Sequence, residues 1–302
     1  LTVVVTDNGS NPSNLSDSET IVITINELND NAPVITTGAA PTVGENQTVV
    51  AALTSTDLDT VGTNPALFTI TGGLDQALFD VVGGNLVFLT ARNYESDPHS
   101  YAVTVTASDG ANTAVRALTV TLTDANDNAA VITTGAAQTV AENQTVVAAL
   151  SATDSDTVGT NPALFAITGG TDQALFDVVG GDLVFLTARN YESDANSYAV
   201  TVTASDGVNT AVRALTVTLT DANDNAPVIT TGAAQTVAEN QTVVAALTST
   251  DLDTAGTNPA LFRITGGADQ ALFDVVEGNL VFLTLRNYES DAHSYAVTVT
   301  AS

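Results

Sequence analysis

Seven residues, Thr-Asp-Ala-Asn-Asp-Asn-Ala, run from Thr123 to Ala129 and again from Thr220 to Ala226. A looser copy, Asn-Glu-Leu-Asn-Asp-Asn-Ala, runs from Asn26 to Ala32. Carboxylates, amide oxygens and neighbouring backbone carbonyls are hard oxygen donors. That is the chemistry of a hard divalent cation, which takes about 6 to 8 such ligands. With 2 His and no Cys there is no cluster to suggest zinc. No Ser/His/Asp set, phosphate loop or paired-carboxylate cleft stands out, so no catalytic residue and no enzyme activity are expected. Asp and Asn also favour turns. On its own each stretch would be an ordinary polar turn, and the other acids of the chain decide the matter.

The 302 residues carry 34 acids against 6 basic residues, all Arg, for a formal charge of −28. Such a chain cannot neutralise phosphates, which excludes nucleic acid as a partner. An anionic membrane surface repels it, and it repels itself unless cations bind. Hydrophobic residues still make up 44% of it, so the acidity is not that of a disordered tail. No run approaches the ~18 apolar residues of a membrane span. The opening Leu1–Gly9 has no basic start or cleavage site. The sequence reads as a window on a longer polypeptide.

A repeat positions the acids. Asp30, Asp127 and Asp224 lie 97 residues apart, and Glu45, Glu142, Glu239 and Tyr94, Tyr191, Tyr288 keep the same step. That period exceeds the roughly 20 to 50 residues of a solenoid unit and fits one small β-sandwich. The spacing predicts the C-terminal strands of a preceding unit at 1–29, complete units at 30–126 and 127–223, and a unit at 224–302 lacking its last strand. Tyr101–Ser108 and Leu118–Thr123 alternate apolar and small polar residues, the period of strands. Thr and Val favour pleated surfaces, and no segment carries a helical stripe. The expected fold is all-β: tandem Greek-key β-sandwiches of about seven strands each, as beads on a string. Leu53, Phe68, Leu78, Phe79, Phe88, Val103 and Leu118 are the expected core of the first full unit. Arg116 shares the parity of Leu118, Val120 and Leu122. A bulge near Ala117 or an exposed strand end is expected to keep it from burial.

In register, the acids form an ordered set. Each unit has a Glu after its first strand (Glu45), then Asn93-Tyr94-Glu95, then Asp124 to Asn128. The following unit opens with Asp154-x-Asp156 and Asn161, and later carries Asp206 in Ala-Ser-Asp-Gly. This order resembles the calcium motifs of cadherin repeats, and the resemblance covers every full unit. It implies about three Ca²⁺ per complete junction. At the central junction the implied ligands are Glu45, Asn93, Glu95, Asp124, Asn126, Asp127, Asn128, Asp154, Asp156, Asn161 and Asp206. The next junction would use Glu142, Asn190, Glu192, Asp221, Asn223, Asp224, Asn225, Asp251, Asp253 and Asn258. The first has Glu27, Asn29, Asp30, Asn31, Asp57, Asp59, Asn64 and Asp109, without the preceding unit's own Glu residues. Gathered carboxylates are near neutral with metal and self-repelling without it. The short acidic stretch is then a hinge that cations lock.

Two positions depart from the pattern. Asn93 and its copies stand at the usual Asp, which removes one charge. Ala130 stands where Pro33 and Pro227 do, which is expected to soften entry into the next strand. The absence of Trp gives no basis for strand-swapped homophilic recognition. The near-identical units and the Thr/Val/Ala/Gly-rich composition resemble the cadherin-like repeats of bacterial giant surface adhesins.

The resemblance implies a calcium-binding structural repeat region of an extracellular adhesin or surface filament, at the cell surface or secreted. Implied partners are other cell-surface molecules or copies of itself, with filament assembly possible. The alternatives are a polysaccharide-binding cadherin-like module or the spacer of a secreted enzyme. Sugar sites usually present exposed aromatics, whereas most Tyr and Phe here fall at core-like positions. Asn46, Asn143 and Asn240 fit a glycosylation sequon but are set aside. Asp97, Asp194 and Asp291, after the Asn-Tyr-Glu motif, are placed on a solvated loop. His99 and His293 align with Asn196 and are also assigned to exposed loops.

Overall fold

The computed structural model describes residues 1–8, 16–256 and 260–302. The chain forms two compact units, 1–126 with 156–158, and 127–155 with 159–302. The described residues are strands, turns and three short 3-10 turns, at Gln76–Leu78, Gln173–Leu175 and Gln270–Leu272.

In the first unit, Thr2–Thr6 pairs antiparallel with Ser16–Thr20 as an exposed ribbon. A sandwich follows. One sheet has the order Thr42–Gly44, Thr113–Thr123, Ser100–Ser108, Leu67–Gly72. The other has the order Val49–Ala52, Asn85–Phe88, Phe79–Val82. The first strand is broken in two: Val34–Ile35 pairs with Ser55–Thr56, and Thr42–Gly44 runs parallel to the last strand. The second strand is interrupted as well, so nine segments stand where sequence periodicity suggests about seven strands.

Alternation sets the core. Ser100–Ser108 buries Tyr101, Val103, Val105 and Ala107, and Thr113–Thr123 buries Leu118, Val120 and Leu122. Successive side chains of a strand face opposite ways, so the Thr residues between them face outward. Phe79 and Phe88 stack at 4.5 Å, and Tyr101 stands edge-on to Phe88 at 5.0 Å, both arrangements that ring quadrupoles favour. Phe88→Ala would cost about 3–5 kcal/mol. Leu53, Phe79, Phe88, Val103 and Leu118 are buried as expected. Phe68 and Leu78 are only half-buried against the cluster.

Arg116 is rescued differently from the expectation. Thr104 pairs with Ala117 and Val105 with Arg116 without a register shift, so there is no bulge at Ala117. Arg116 is half-buried, and its Nη1 donates to the Ile35 carbonyl at 2.9 Å. The irregularity falls at Thr104/Val105, against Leu67–Gly72. Gly73 follows there with φ +103°, and a Cβ on it would meet the Ala102 carbonyl oxygen at 2.5 Å. Only Gly fits such a place.

The second unit contains a sandwich built in the same way. Ala137–Ala141, Thr210–Thr220, Ser197–Ser205 and Leu164–Gly169 face Val146–Ala149, Asp182–Phe185 and Phe176–Val179 across one core. Ala130 is buried, and Val131–Ile132 pairs with Ala152–Thr153 as its Pro-preceded counterparts pair. Replacing Pro therefore leaves the strand entry intact. A third set of strands follows in this unit. Val243–Ala246, Asn279–Phe282 and Phe273–Val276 form one sheet, and Phe262–Gly266 pairs with Thr298–Ala301. A cleft of about 870 Å³ lies between these sheets. Tyr295, Val297 and Val299 are correspondingly only half-buried.

Candidate metal centre

In the second unit the strand Thr210–Thr220 runs straight into Asp221–Asn225. Its parallel partner Ala137–Ala141 delivers Glu142 beside it. Glu142 is 1% exposed. Its Oε1 accepts from the Ala222 N–H at 2.7 Å and its Oε2 from the Tyr191 N–H at 2.8 Å. One buried carboxylate thus ties the linker to the Asn190-Tyr191-Glu192 turn.

Carboxylate oxygens of Glu142, Glu192 and Asp221 lie within 4.8 Å of one another, and so do those of Glu192, Asp224 and Asp253. Glu192 belongs to both groups. Both of its oxygens are buried without a hydrogen-bond donor, and so is Oδ1 of Asp221. Burial raises the Glu192 pKa, its own backbone N–H opposes the shift, and the charges of Glu142, Asp221 and Asp253 add to it. Asp221 shifts down: the Thr254 hydroxyl, with the N–H groups of Ala255 and Thr254, outweighs desolvation. A buried carboxylate with no donor, facing other carboxylates, requires a proton or a cation. The donors are all oxygen, the set that suits a hard divalent ion.

The remaining residues frame these groups. Asp253 is 1% exposed and accepts from the Asn225 N–H at 2.8 Å and Nδ2 at 2.7 Å. Asp251 Oδ1 accepts from the Asp253 N–H at 3.3 Å. Asn223 packs against Gly256, where a Cβ would lie 2.6 Å from its Nδ2. Asn258 lies outside the described residues. Asn190 joins neither carboxylate group; its Oδ1 accepts from the Ser193 hydroxyl at 2.7 Å. Its N–H donates to Asp194 at 3.0 Å, as that of Asn93 does to Asp97. Asp97 and Asp194, assigned to a solvated loop from sequence, therefore brace this turn.

The same unit holds Asp127, Asn128, Asp154, Asn161 and Asp206. Asn128 Nδ2 donates to Asp127 at 2.9 Å, and its carbonyl accepts from Asn209 Nδ2 at 3.2 Å. Asp206 is buried and accepts from the N–H groups of Val208 and Asn209. Asp154 is half-buried and Asn161 exposed.

In the first unit, Glu45, Glu95 and Asp124 gather within 4.8 Å. Glu45 is buried and accepts from the N–H groups of Tyr94 and Ala125. Asp124 Oδ1 is buried without a donor. Its pKa falls: desolvation opposes, but the Thr157 hydroxyl and the N–H groups of Thr157 and Val158 prevail. Asn93 Oδ1 accepts from the Ser96 hydroxyl and N–H. Asn126 is half-buried in this linker, and Asp156 is 1% exposed.

The linker at Glu27–Asn31 is wired differently. Glu27 Oε1 accepts from the Thr60 N–H at 2.7 Å, and its Oε2 accepts from the Thr60 hydroxyl. Asp59 is buried and accepts from the Asn31 N–H and Nδ2, each at 2.7 Å. The Asn31 N–H is the main cause of its lowered pKa. Asp109 is lowered chiefly by the Asn112 N–H. The Asn29 amide faces Asp59 and Asp109, 3.2 Å from each. Asn31 Nδ2 also donates to Asp30, Asp57 accepts from the Asp59 N–H, and Asn64 reaches the Asp59 carbonyl. Among the described residues, no group of three converging carboxylates forms here.

Some contributors escaped the sequence reading. Thr60, Thr157 and Thr254 hold the first linker acid of each copy. Asn112 and Asn209 donate to linker carbonyls. Asn143 Nδ2 donates to Asp224 at 2.5 Å. The Thr follows each Asp-x-Asp in strict register, which is the signal that could have found it.

No family model matches the chain. Cadherin EGF LAG seven-pass G-type receptor 1 of Mus musculus is 29% identical over 283 residues, 88% of this chain and 9% of that protein. The chain thus spans less than a tenth of the length of this curated relative. The solved structure of the protocadherin gammaB7 EC3-6 cis-dimer matches with a TM-score of 0.66 at 24% identity, over 99% of this chain and 79% of that one. Mouse cadherin-23 EC22-24 matches with a TM-score of 0.55 at 20% identity, over 86% of this chain and 91% of that one. At such identities the structural likeness speaks for the fold. No helix among the described residues is long and apolar enough to cross a membrane. The chain has an all-β, cadherin-like fold, similar to that of the solved tandem cadherin domains of protocadherins.

Proposed function

We propose that the chain is a structural repeat region of an extracellular adhesin, divided at 30–126, 127–223 and 224–302, whose linkers bind Ca²⁺ and are stiffened by it. The observation that carries this reading is Glu192, a carboxylate with both oxygens buried and donor-free, shared by two carboxylate groups. One cation would be held by Glu142, Glu192 and Asp221, and a second by Glu192, Asp224 and Asp253. A third would use Asn223, Asn225, Asp251 and Asp253, with Asn258 completing the set the resemblance implies. Ca²⁺ supplies positive charge and tolerates irregular oxygen sets, whereas Mg²⁺ demands near-octahedral geometry and retains water. Because acids of successive repeats would share cations, the bound ion would couple their orientations.

Near-identical successive units suit a uniform stalk, with other cell-surface molecules or further copies as partners. Phe79, Phe88 and their counterparts are buried in the cores, which favours the stalk over a polysaccharide-binding module. The test joins calorimetric Ca²⁺ titration to small-angle scattering in EDTA and in millimolar Ca²⁺. Saturable binding and a narrower spread of dimensions with Ca²⁺ are expected. Identical scattering curves together with no binding heat would overturn the proposal.

A further inference from the structure

We infer that Thr254 and Thr157 are positioning residues for the cation sites: each holds the first linker acid by one oxygen and so aims the other at the carboxylate group. The inference rests on the calcium reading above. Asp221 Oδ2 accepts from the Thr254 N–H at 2.5 Å, the Thr254 hydroxyl and the Ala255 N–H at 2.8 Å. A carboxylate is planar, so three donors on one oxygen fix where the other points. That other oxygen, Oδ1, is buried without a donor, and the Asp221 carboxylate offers an oxygen to the group with Glu142 and Glu192. Asp124 repeats the arrangement. Its Oδ2 accepts from the Thr157 N–H at 2.5 Å and from the Thr157 hydroxyl, its Oδ1 is buried and donor-free, and its carboxylate offers an oxygen to the group with Glu45 and Glu95.

The third copy supplies an internal control. Glu27 is one methylene longer, and the same Thr engages both of its oxygens, the N–H on Oε1 and the hydroxyl on Oε2. Neither oxygen is singled out and turned toward a carboxylate group, so the Thr60–Glu27 contact is a latch. Thr254 follows directly on Asp253, itself in the second carboxylate group. The clamp and the site are therefore built from the same turn.

The test uses the full chain with Thr254→Val, Thr157→Val and Thr60→Val, isosteric changes that remove the hydroxyl, and Thr254→Ser, which keeps it. Calorimetric Ca²⁺ titration and melting in EDTA are read for each. Removing a partner that orients a metal ligand typically weakens metal binding about 10- to 100-fold. Thr254→Val and Thr157→Val should each weaken their own linker by about tenfold. Thr254→Ser should bind as wild type, and Thr60→Val should leave Ca²⁺ binding unchanged. All three Val variants lose a like hydroxyl–carboxylate bond, so a merely structural role would move melting in EDTA and spare affinity. If wild type takes up no Ca²⁺, the calcium reading fails and the inference falls with it. If wild type binds and Asp221→Asn loses binding while Thr254→Val does not, the positioning role alone is overturned. Equal weakening by Thr60→Val and Thr254→Val would overturn it as well.

Discussion

The linker at Asp221–Asn225 and the linker at Glu27–Asn31 share an Asn-Asp-Asn core and a register, yet their carboxylates have different fates. At the first, Glu142 and Glu192 come from the preceding sandwich, and three donor-free oxygens are left facing other acids. At the second, no group of three carboxylates converges among the described residues. There Glu27, Asp59 and Asp109 are each satisfied by amides and a hydroxyl. Asp59 and Asp253 make the comparison sharp. Both accept from the N–H and Nδ2 of the linker's last Asn, but only Asp253 also meets Glu192 and Asp224. On the calcium reading proposed above, the linker motif is half of a centre, and the buried Glu142 with the half-buried Glu192 is the other half.

Glu192 is where that comparison is broken most easily. Glu192→Gln removes the carboxylate common to both groups and should weaken Ca²⁺ binding at this linker on the order of a hundredfold, since ligand charge sets affinity over decades. Without metal the same change removes a like-charge conflict, so melting in EDTA should rise. Glu27→Gln should leave titration unchanged. Equal losses from the two variants, read by calorimetry, would erase the distinction between the linkers. The next effect is smaller: Asp253→Asn should cost about tenfold in affinity, whereas Asp59→Asn should lower melting in EDTA and barely alter the titration.

Proton binding tests the same contrast without mutation. Glu192 has a raised pKa in the fold, so in EDTA its charge destabilises at neutral pH and is relieved as pH falls through that raised value. Asp59, Asp109, Asp124 and Asp221 are lowered. Their stabilisation is present above the ordinary Asp range and is lost as pH falls through the lowered values. Melting in EDTA should therefore rise slightly from neutral toward the upper edge of the Glu range, then fall in stronger acid. Saturating Ca²⁺ should flatten the rise, and Glu192→Gln should remove it. A monotonic fall in wild type would place the charge conflict elsewhere.

Much of this was legible in the sequence because it is periodic. The 97-residue step, the Tyr101–Ser108 alternation and the Phe79/Phe88 core follow from patterns of period 2 and from near-identical repetition. So did the acids of the linker, whose identities and register point to oxygen ligands. The contacts that choose between ligand and latch were not legible. Thr254 meets Asp221 across 33 residues and Asn225 meets Asp253 across 28, and a one-methylene difference between Glu27 and Asp221 changes how a carboxylate is shared. Arg116 shows the same limit: parity put it inward, but only the fold supplies the Ile35 carbonyl that satisfies it.

Asn190 sets the finest test, because it stands where the cadherin-like pattern expects Asp. Its Oδ1 accepts from the Ser193 hydroxyl, and its N–H is held by Asp194. An Asp at this place keeps the acceptor for Ser193 and adds a charge close to the Glu192 turn. Because its oxygen is engaged in the turn and stands outside both carboxylate groups, the added charge should act at a distance and be screened by salt. Asn190→Asp should raise Ca²⁺ affinity only roughly threefold, less than any loss above, and lower melting in EDTA by adding to the repulsion around Glu192. The equivalent change at Asn93 should behave alike, since Asn93 caps the same turn through Ser96. A gain of a hundredfold at either position would mean that the turn yields its Ser partner to the cation. The Asn would then be a ligand position, and the two-group description of the centre would have to be widened to include it.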